Sequence, residues 1–407
     1  MAITDTRLLE RKSVMGAAFE QESGGVAGTA IAAAASFAYF PCYELSFTPE
    51  IALIERDLYT ESLAPENVDA IGTQFARVTM KVDCMGSGAS VGGTDSTKYS
   101  DKGLQLQGTP QWMVLLRGCG FFNFYSEWKD GTVFGGGSAV TKWNAWMPSN
   151  TPCQPTDDEA QVGDGIDSMA TLTIKFWQDG RLYTLAGCMG NVTFSGTAGE
   201  IPYATFEFLG VLNAVDGSEA NPMAAYAFDT ETPSPLSRND KTAWNVSIDA
   251  TPAMSSWELN MNNSYDIYKD VNKDKAGKYC VITERKPTLT CTTLAYDDAD
   301  AGELLIDRTI ATTTGNFDVL MGSVSALVNS SLLLAAEKTQ VTSLDVGEET
   351  GYLTENTTAK CIAEDNFVNT GSILQAPEAR ECWLAYGYAV ANAWTSATSN
   401  NDPTGGE

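Results

Sequence analysis

Residues 171–212, TLTIKFWQDGRLYTLAGCMGNVTFSGTAGEIPYATFEFLGVL, restrict the chain to β architecture more tightly than any other stretch. Apolar residues follow a strand's two-residue period: Leu172, Ile174 and Phe176; Leu182 and Leu185; Val192 and Phe194; Phe206 and Phe208. That period puts alternate side chains on opposite faces, so the segment buries one face and wets the other. Asp179-Gly180 suits a type I′ hairpin, whose two central residues need positive φ. Gly187, Gly190, Gly196 and Gly199 mark further turns. The spacing predicts four short antiparallel strands in a meander, with no catalytic motif among them.

The flanks read similarly. Residues 42–48 alternate Cys42, Leu45 and Phe47 with polar neighbours, and 76–84 alternate Val78, Met80 and Val82 with Arg77, Thr79, Lys81 and Asp83. Between them, 49–75 reads as a long acidic connection containing Pro49, Pro65 and Gly72; such length points to a functional or interface-forming loop. One helix is expected, with Thr109 as N-cap, Pro110 at its first position, and Trp112, Leu115, Leu116 and Cys119 at helical spacing. Its plain role is to pack that stripe on a sheet. Residues 121–148 return to strand character, and 149–167 form an acidic loop.

These elements divide the chain into an N-terminal Gly/Ala-rich arm (1–40), a first β-module (41–213), a Pro-containing linker (214–242), a second module (243–394) and a tail (395–407) expected to be flexible. The second module reads as a divergent echo of the first. WELNMNNS at 257–264 can be laid on CYELSFTP at 42–49, and KPTLTCTTLAY at 286–296 on ARVTMKVDCMG at 76–86. ECWLAYGYA at 381–389 would close it as a strand.

Composition removes whole classes of function. A net charge of −27 leaves no basic stripe for gripping the outside of nucleic acid. The chain has no histidine, which excludes histidine-based triads, bases and metal sites. Its nine cysteines include no CxxC pair, so structural zinc is not expected; buried, reduced thiols are. No secretory signal and no membrane-spanning run is evident, which suggests folding in a reducing cytosol, without membrane contact.

Local motifs weigh lightly. Asp270, Asn272 and Asp274 share the spacing of a calcium loop, but Lys275 stands where Gly is required and Val281 where Glu is; a polar hairpin turn is the better reading. The acidic runs Asp157-Asp158-Glu159 and Asp297-Asp298 have no pocket signature beside them. Gly86, Gly88, Gly92 and Gly93 lack the GK[ST] of a phosphate loop. No cofactor and no metal is expected.

Four stretches carry a family likeness. ERKSVMGAAFEQESG at 10–24, TPQWMVLLRGCGF at 109–121 and GRLYTLAGCMGNVTFSGTAGEIPYATFEFLGVL at 180–212 resemble the arm, helix and hairpins of tail tube proteins of long-tailed, non-contractile bacteriophages. ITERKPTLTCTT at 282–293, TGNFDVLMGS at 314–323 and ECWLAY resemble the C-terminal module of the larger members; 324–380 departs most. The resemblance implies a mainly β fold of two β-sandwich or half-barrel modules, whose rings close into a β-barrel wall and stack into a virion tube assembled in the host cytoplasm. A duplicated chain would make a three-chain, pseudo-sixfold ring; a single module would need six chains.

Double-stranded DNA would pass through without sticking to the negative bore during ejection. Partners would be the chain itself and the tape-measure, tail terminator and distal tail proteins. Candidate bore-facing residues are Glu44, Ser46, Thr79, Asp83, Glu258, Asn260 and Thr290, with Arg77 and Lys81 as exceptions expected to pair with acidic neighbours. Candidate ring-stacking residues are Glu50, Glu55, Arg56, Asp57, Glu61, Glu66 and Asp69. Two other readings remain. One is an Ig-like adhesin or decoration protein, monomeric or glycan-binding. The other is a carboxylate-based glycoside hydrolase using some of the nine tryptophans as sugar platforms.

Overall fold

The alternation at 171–212 becomes three strands, not four: β7 (Leu172–Gln178), β8 (Arg181–Thr197) and β9 (Tyr203–Gly217). The second and third expected strands are one 17-residue strand, β8. Gly187 and Gly190 do not turn the chain there. They let other backbone come close: a Cβ on Gly190 would lie 1.9 Å from the Glu207 carbonyl oxygen, and one on Gly187 (φ +61) would lie 2.7 Å from Tyr279 Cα. The β8–β9 register shifts between Ala186 and Met189, so β8 bends and changes neighbours instead of reversing. In this computed structural model the described residues are 13–21, 26–32, 37–55, 69–86, 109–128, 141–149, 169–178, 180–217, 241–244, 253–273, 275–295, 309–310, 314–321, 332–363 and 380–386. Asp179 of the expected hairpin turn lies outside them.

The fold is mainly β. The stretch read as an arm contributes two strands, β1 (Ser13–Phe19) and β2 (Ala38–Phe40), which extend the sheet in the order β2-β1-β7. Their small and apolar residues explain it: Met15, Ala17, Ala38 and Phe40 are buried in the core. β3 (Tyr43–Ile54) and β4 (Ala70–Asp83) form a long hairpin. The expected connection 49–75 is therefore largely strand, leaving 55–69 between the two.

A 3-10 turn (Gln111–Met113) leads into the short helix α1 (Val114–Gly118). Thr109 does not cap it; Pro110 holds the N-cap position and no side chain caps the end. The first turn is anchored instead by Trp112 Nε1 donating to the Met85 carbonyl at 3.0 Å. β5 (Phe121–Trp128) and β6 (Thr141–Pro148) follow as expected.

Later come β10 (Lys241–Trp244), β11 (Met254–Asn260), a separate hairpin of β12 (Ser264–Lys269) and β13 (Gly277–Glu284), and β14 (Thr288–Leu294). β15 (Thr314–Met321), β16 (Leu332–Glu349), β17 (Tyr352–Cys361) and β18 (Trp383–Tyr386) complete the order. Of the expected linker, 214–217 end β9 and 241–242 begin β10; the remainder, and the 395–407 tail, lie outside the described residues.

One large core cluster joins both halves of the chain. It takes Val78, Met80, Trp112, Phe206 and Phe208 from the first half and Trp257, Leu259, Phe317 and Leu334 from the second. At the corner after β11, buried Asn263 donates through Nδ2 to the carbonyls of Gly190 (2.9 Å) and Cys119 (3.0 Å). Its N–H donates to Asn191 Oδ1 at 3.0 Å. Asn263→Ala leaves two buried carbonyls without these donors. The expected result is a loss of about 2–3 kcal/mol, read as a lower denaturant midpoint with an unchanged slope.

Candidate self-assembly interface

Hydrogen-bonded neighbours trace the path β3-β4-β9-β8-β11-β14-β17-β16, antiparallel at every step. It consists of two sets with the same order. In each set the first, second, fourth and third strands in sequence stand side by side: β3-β4-β9-β8, then β11-β14-β17-β16. Aromatic packing repeats too. Phe47 of β3 meets Phe176 of β7 at 6.2 Å, and Trp257 of β11 meets Phe317 of β15 at 6.0 Å. β7 and β15 each precede and pair with the third strand of their set. The sets are joined by the β8–β11 seam, from Ser256 opposite Thr197 to Asn260 opposite Thr193.

Both ends of this path are open among the described residues. β3 pairs only with β4, and beyond Val341 β16 pairs only with β17. Such edges present rows of unpaired N–H and C=O groups, ready to accept another strand. The inner face of each edge is apolar and incompletely covered: Leu45 and Phe47 on β3, and Leu344 on β16, are only partly buried against the core. Beside β3 opens a groove of about 450 Å3, lined by Leu45, Phe47, Ile51, Phe176, Tyr183 and Val215 among others. Its lining holds no carboxylate, amine or thiol, so it suits apolar side chains.

The opposite face of the path is polar, and it gathers the residues expected to line a bore. Ser46 stands opposite Thr79, and Thr79 opposite Glu207. Glu258 stands opposite both Ser195 and Thr290, and Asn260 opposite both Thr193 and Thr288. Asn260 Oδ1 accepts from Asn191 Nδ2 at 2.9 Å. Asp83 accepts from the Tyr43 hydroxyl at 2.8 Å; burial raises its pKa, while that bond and nearby Lys81 lower it. Glu44 sits at a register shift with φ +49, its carboxylate 3.7 Å from Lys81.

The two cations on this face are paired, as expected. Arg77 contacts Glu207 and, at 3.2 Å, Glu50. Lys81 also sits 3.5 Å above the Tyr203 ring.

The expected stacking loop divides. Glu50 is a strand residue of β3 opposite Phe75, because apolar residues of 51–54 and 70–75 pair where a loop was expected. Glu55 and Asp69 flank the tip of that hairpin, and Arg56, Asp57, Glu61 and Glu66 lie outside the described residues. The connection at 270–276 is a polar hairpin turn in which Asp270 Oδ1 accepts the Asn272 N–H at 2.9 Å. Asp157, Asp158, Glu159, Asp297 and Asp298 lie outside the described residues, as do Gly88, Gly92 and Gly93. The edge on β16 was missed in the sequence. Its signal is the run Val341, Leu344 and Val346, put out of phase by a register shift between Val341 and Ser343.

Eight cysteines are free thiols, seven of them buried. Burial pushes the Cys42 thiol up to about 11, and those of Cys280 and Cys361 to about 12, so they stay protonated at neutral pH. No group of three or more acidic or cysteine side chains is placed to hold a metal among the described residues. No helix among them is long and apolar enough to cross a membrane. No protein-family model matches the chain, and no curated protein matches it.

Proposed function

We propose that this chain is a self-assembling virion subunit, the tail tube protein of a long-tailed, non-contractile bacteriophage. The observation that carries the reading is the pair of open edges on a path whose own β8–β11 seam joins the end of one strand set to the start of the next. A second copy can repeat that seam by laying β16 along β3. Three copies then close a ring of six equivalent sets, removing every exposed edge of the path. Two β-modules per chain give the ring pseudo-sixfold symmetry.

The polar face turns toward the bore and the apolar core faces outward. With −27 per chain, the bore repels DNA phosphates and lets the double helix slide. The tape-measure, terminator and distal tail proteins are the partners this role requires. Electron microscopy of the purified protein, with light-scattering mass, tests the reading. Hollow rings or tubes built of three-chain units are expected. A compact monomer at all concentrations sinks it, and six chains per ring sinks the equivalence of the two strand sets.

A further inference from the structure

The exposed apolar side chains of the path gather at its two ends, and those ends differ. Antiparallel pairing throughout sends β3, β9, β11 and β17 one way and β4, β8, β14 and β16 the other. The β3–β4 tip, where Ile54 stands opposite Ala70, therefore lies at one end. The β16–β17 turn, where Glu349 stands opposite Tyr352, lies at the other. At the first end Ile51, Leu53, Ile54 and Ile71 are 49–65% exposed. At the second, Val346, Tyr352 and Leu353 are 62–66% exposed.

Charge differs in the same sense. The β12–β13 hairpin reaches the first end, where Lys275 bonds the carbonyls of Leu212 and Asn213. That end carries the exposed cations Arg181, Lys269 and Lys273 beside its acids. At the second end, the β8–β9 and β16–β17 turns hold Glu200, Glu348 and Glu349 and no cation.

We propose that the first end of one copy docks on the second end of another, the Leu53 tip against Val346 and Leu353. This rests on the ring reading above and names the surface that receives the hairpin. Surfaces at opposite ends of the same strands cannot meet within one ring. They meet only when copies are displaced along the strand direction, so the contact is axial. It joins unlike surfaces, so it does not close on itself and permits continued growth. Each chain offers two arms at one end, β3–β4 and β12–β13, and two turns at the other, which matches the two strand sets around the ring.

Leu53→Asp and Leu353→Asp test this separately. Each should retain the far-ultraviolet circular dichroism and three-chain mass of the wild type and form no tubes. Tubes from either variant overturn the proposal. Wild-type rings that never stack also overturn it while leaving the ring reading intact; a wild-type monomer removes both. In a Leu53→Cys/Leu353→Cys double variant, oxidation should give a ladder of covalent species beyond three chains. Cross-links confined to three chains, or none, overturn axial docking.

Discussion

Leu45→Lys is expected to leave the chain folded and to abolish ring formation. In a lone subunit, position 45 lies on an open edge strand, partly buried against the core. A lysine there extends its aliphatic stem along the groove and keeps its ammonium in water. When a second copy lays β16 over that edge, the same ammonium is trapped under Leu344 without a partner. An uncompensated buried charge costs about 3–5 kcal/mol, on the order of a hundred- to several-thousand-fold in association at each seam.

A ring repeats the penalty at each of its seams. Sedimentation or light scattering should find monomer where the wild type is all ring, with circular dichroism unchanged. Leu45→Met, which conserves volume and polarity, should assemble normally. Normal rings from the lysine variant would mean that β3 is not covered by a partner.

How much of this interface a sequence discloses depends on how local its pairing is. β7 and β9 were legible because each has one dry and one wet face, so alternation is strong. β8 was read as two strands because a glycine that admits neighbouring backbone looks the same in sequence as a glycine that turns. The β3–β4 tip was read as loop because Ile51, Leu53, Ile54 and Ile71 are all exposed and give no contrast between faces. β17 alternates mainly threonine with other small or polar residues, and the shift in β16 breaks its period; neither registered as a strand.

The polar residues facing a common side were found, since alternation fixes faces. Which edges stay open was not, because β8–β11 and β14–β17 pair residues some sixty or more positions apart. Thr109 looked like an N-cap by type alone. Tertiary anchoring of Trp112 on Met85 set that helix start instead.

The largest single loss of stability is expected from Glu20→Ala. Glu20 is 1% exposed and each carboxylate oxygen takes two donors. Oε1 accepts from the Gly187 N–H (2.7 Å) and the Thr173 hydroxyl (2.8 Å). Oε2 accepts from the Gly28 N–H and the Thr171 hydroxyl, both at 2.7 Å. One side chain thus ties the end of β1 to β7, to the bend of β8 and to the segment at Gly28, where β13 approaches closely.

Truncation strands four buried donors, costing about 3–5 kcal/mol. Denaturant unfolding should show it directly, or the soluble yield should collapse. Glu20→Gln keeps the shape, but only one of its two terminal atoms accepts, so its cost is about half as large.

The pH dependence has a fixed sign. Burial raises the folded-state pKa of Glu20 above its ordinary 4.5, although the bonds from Gly187, Thr171, Gly28 and Thr173 pull it down. Between the ordinary and the raised value the unfolded chain has lost the proton that the folded chain keeps. The Glu20 contribution is therefore fullest below about 4.5 and declines as pH rises toward the raised value. The stability gap between wild type and Glu20→Gln should narrow over that interval. A gap that widens with rising pH would show that the four donors outweigh burial.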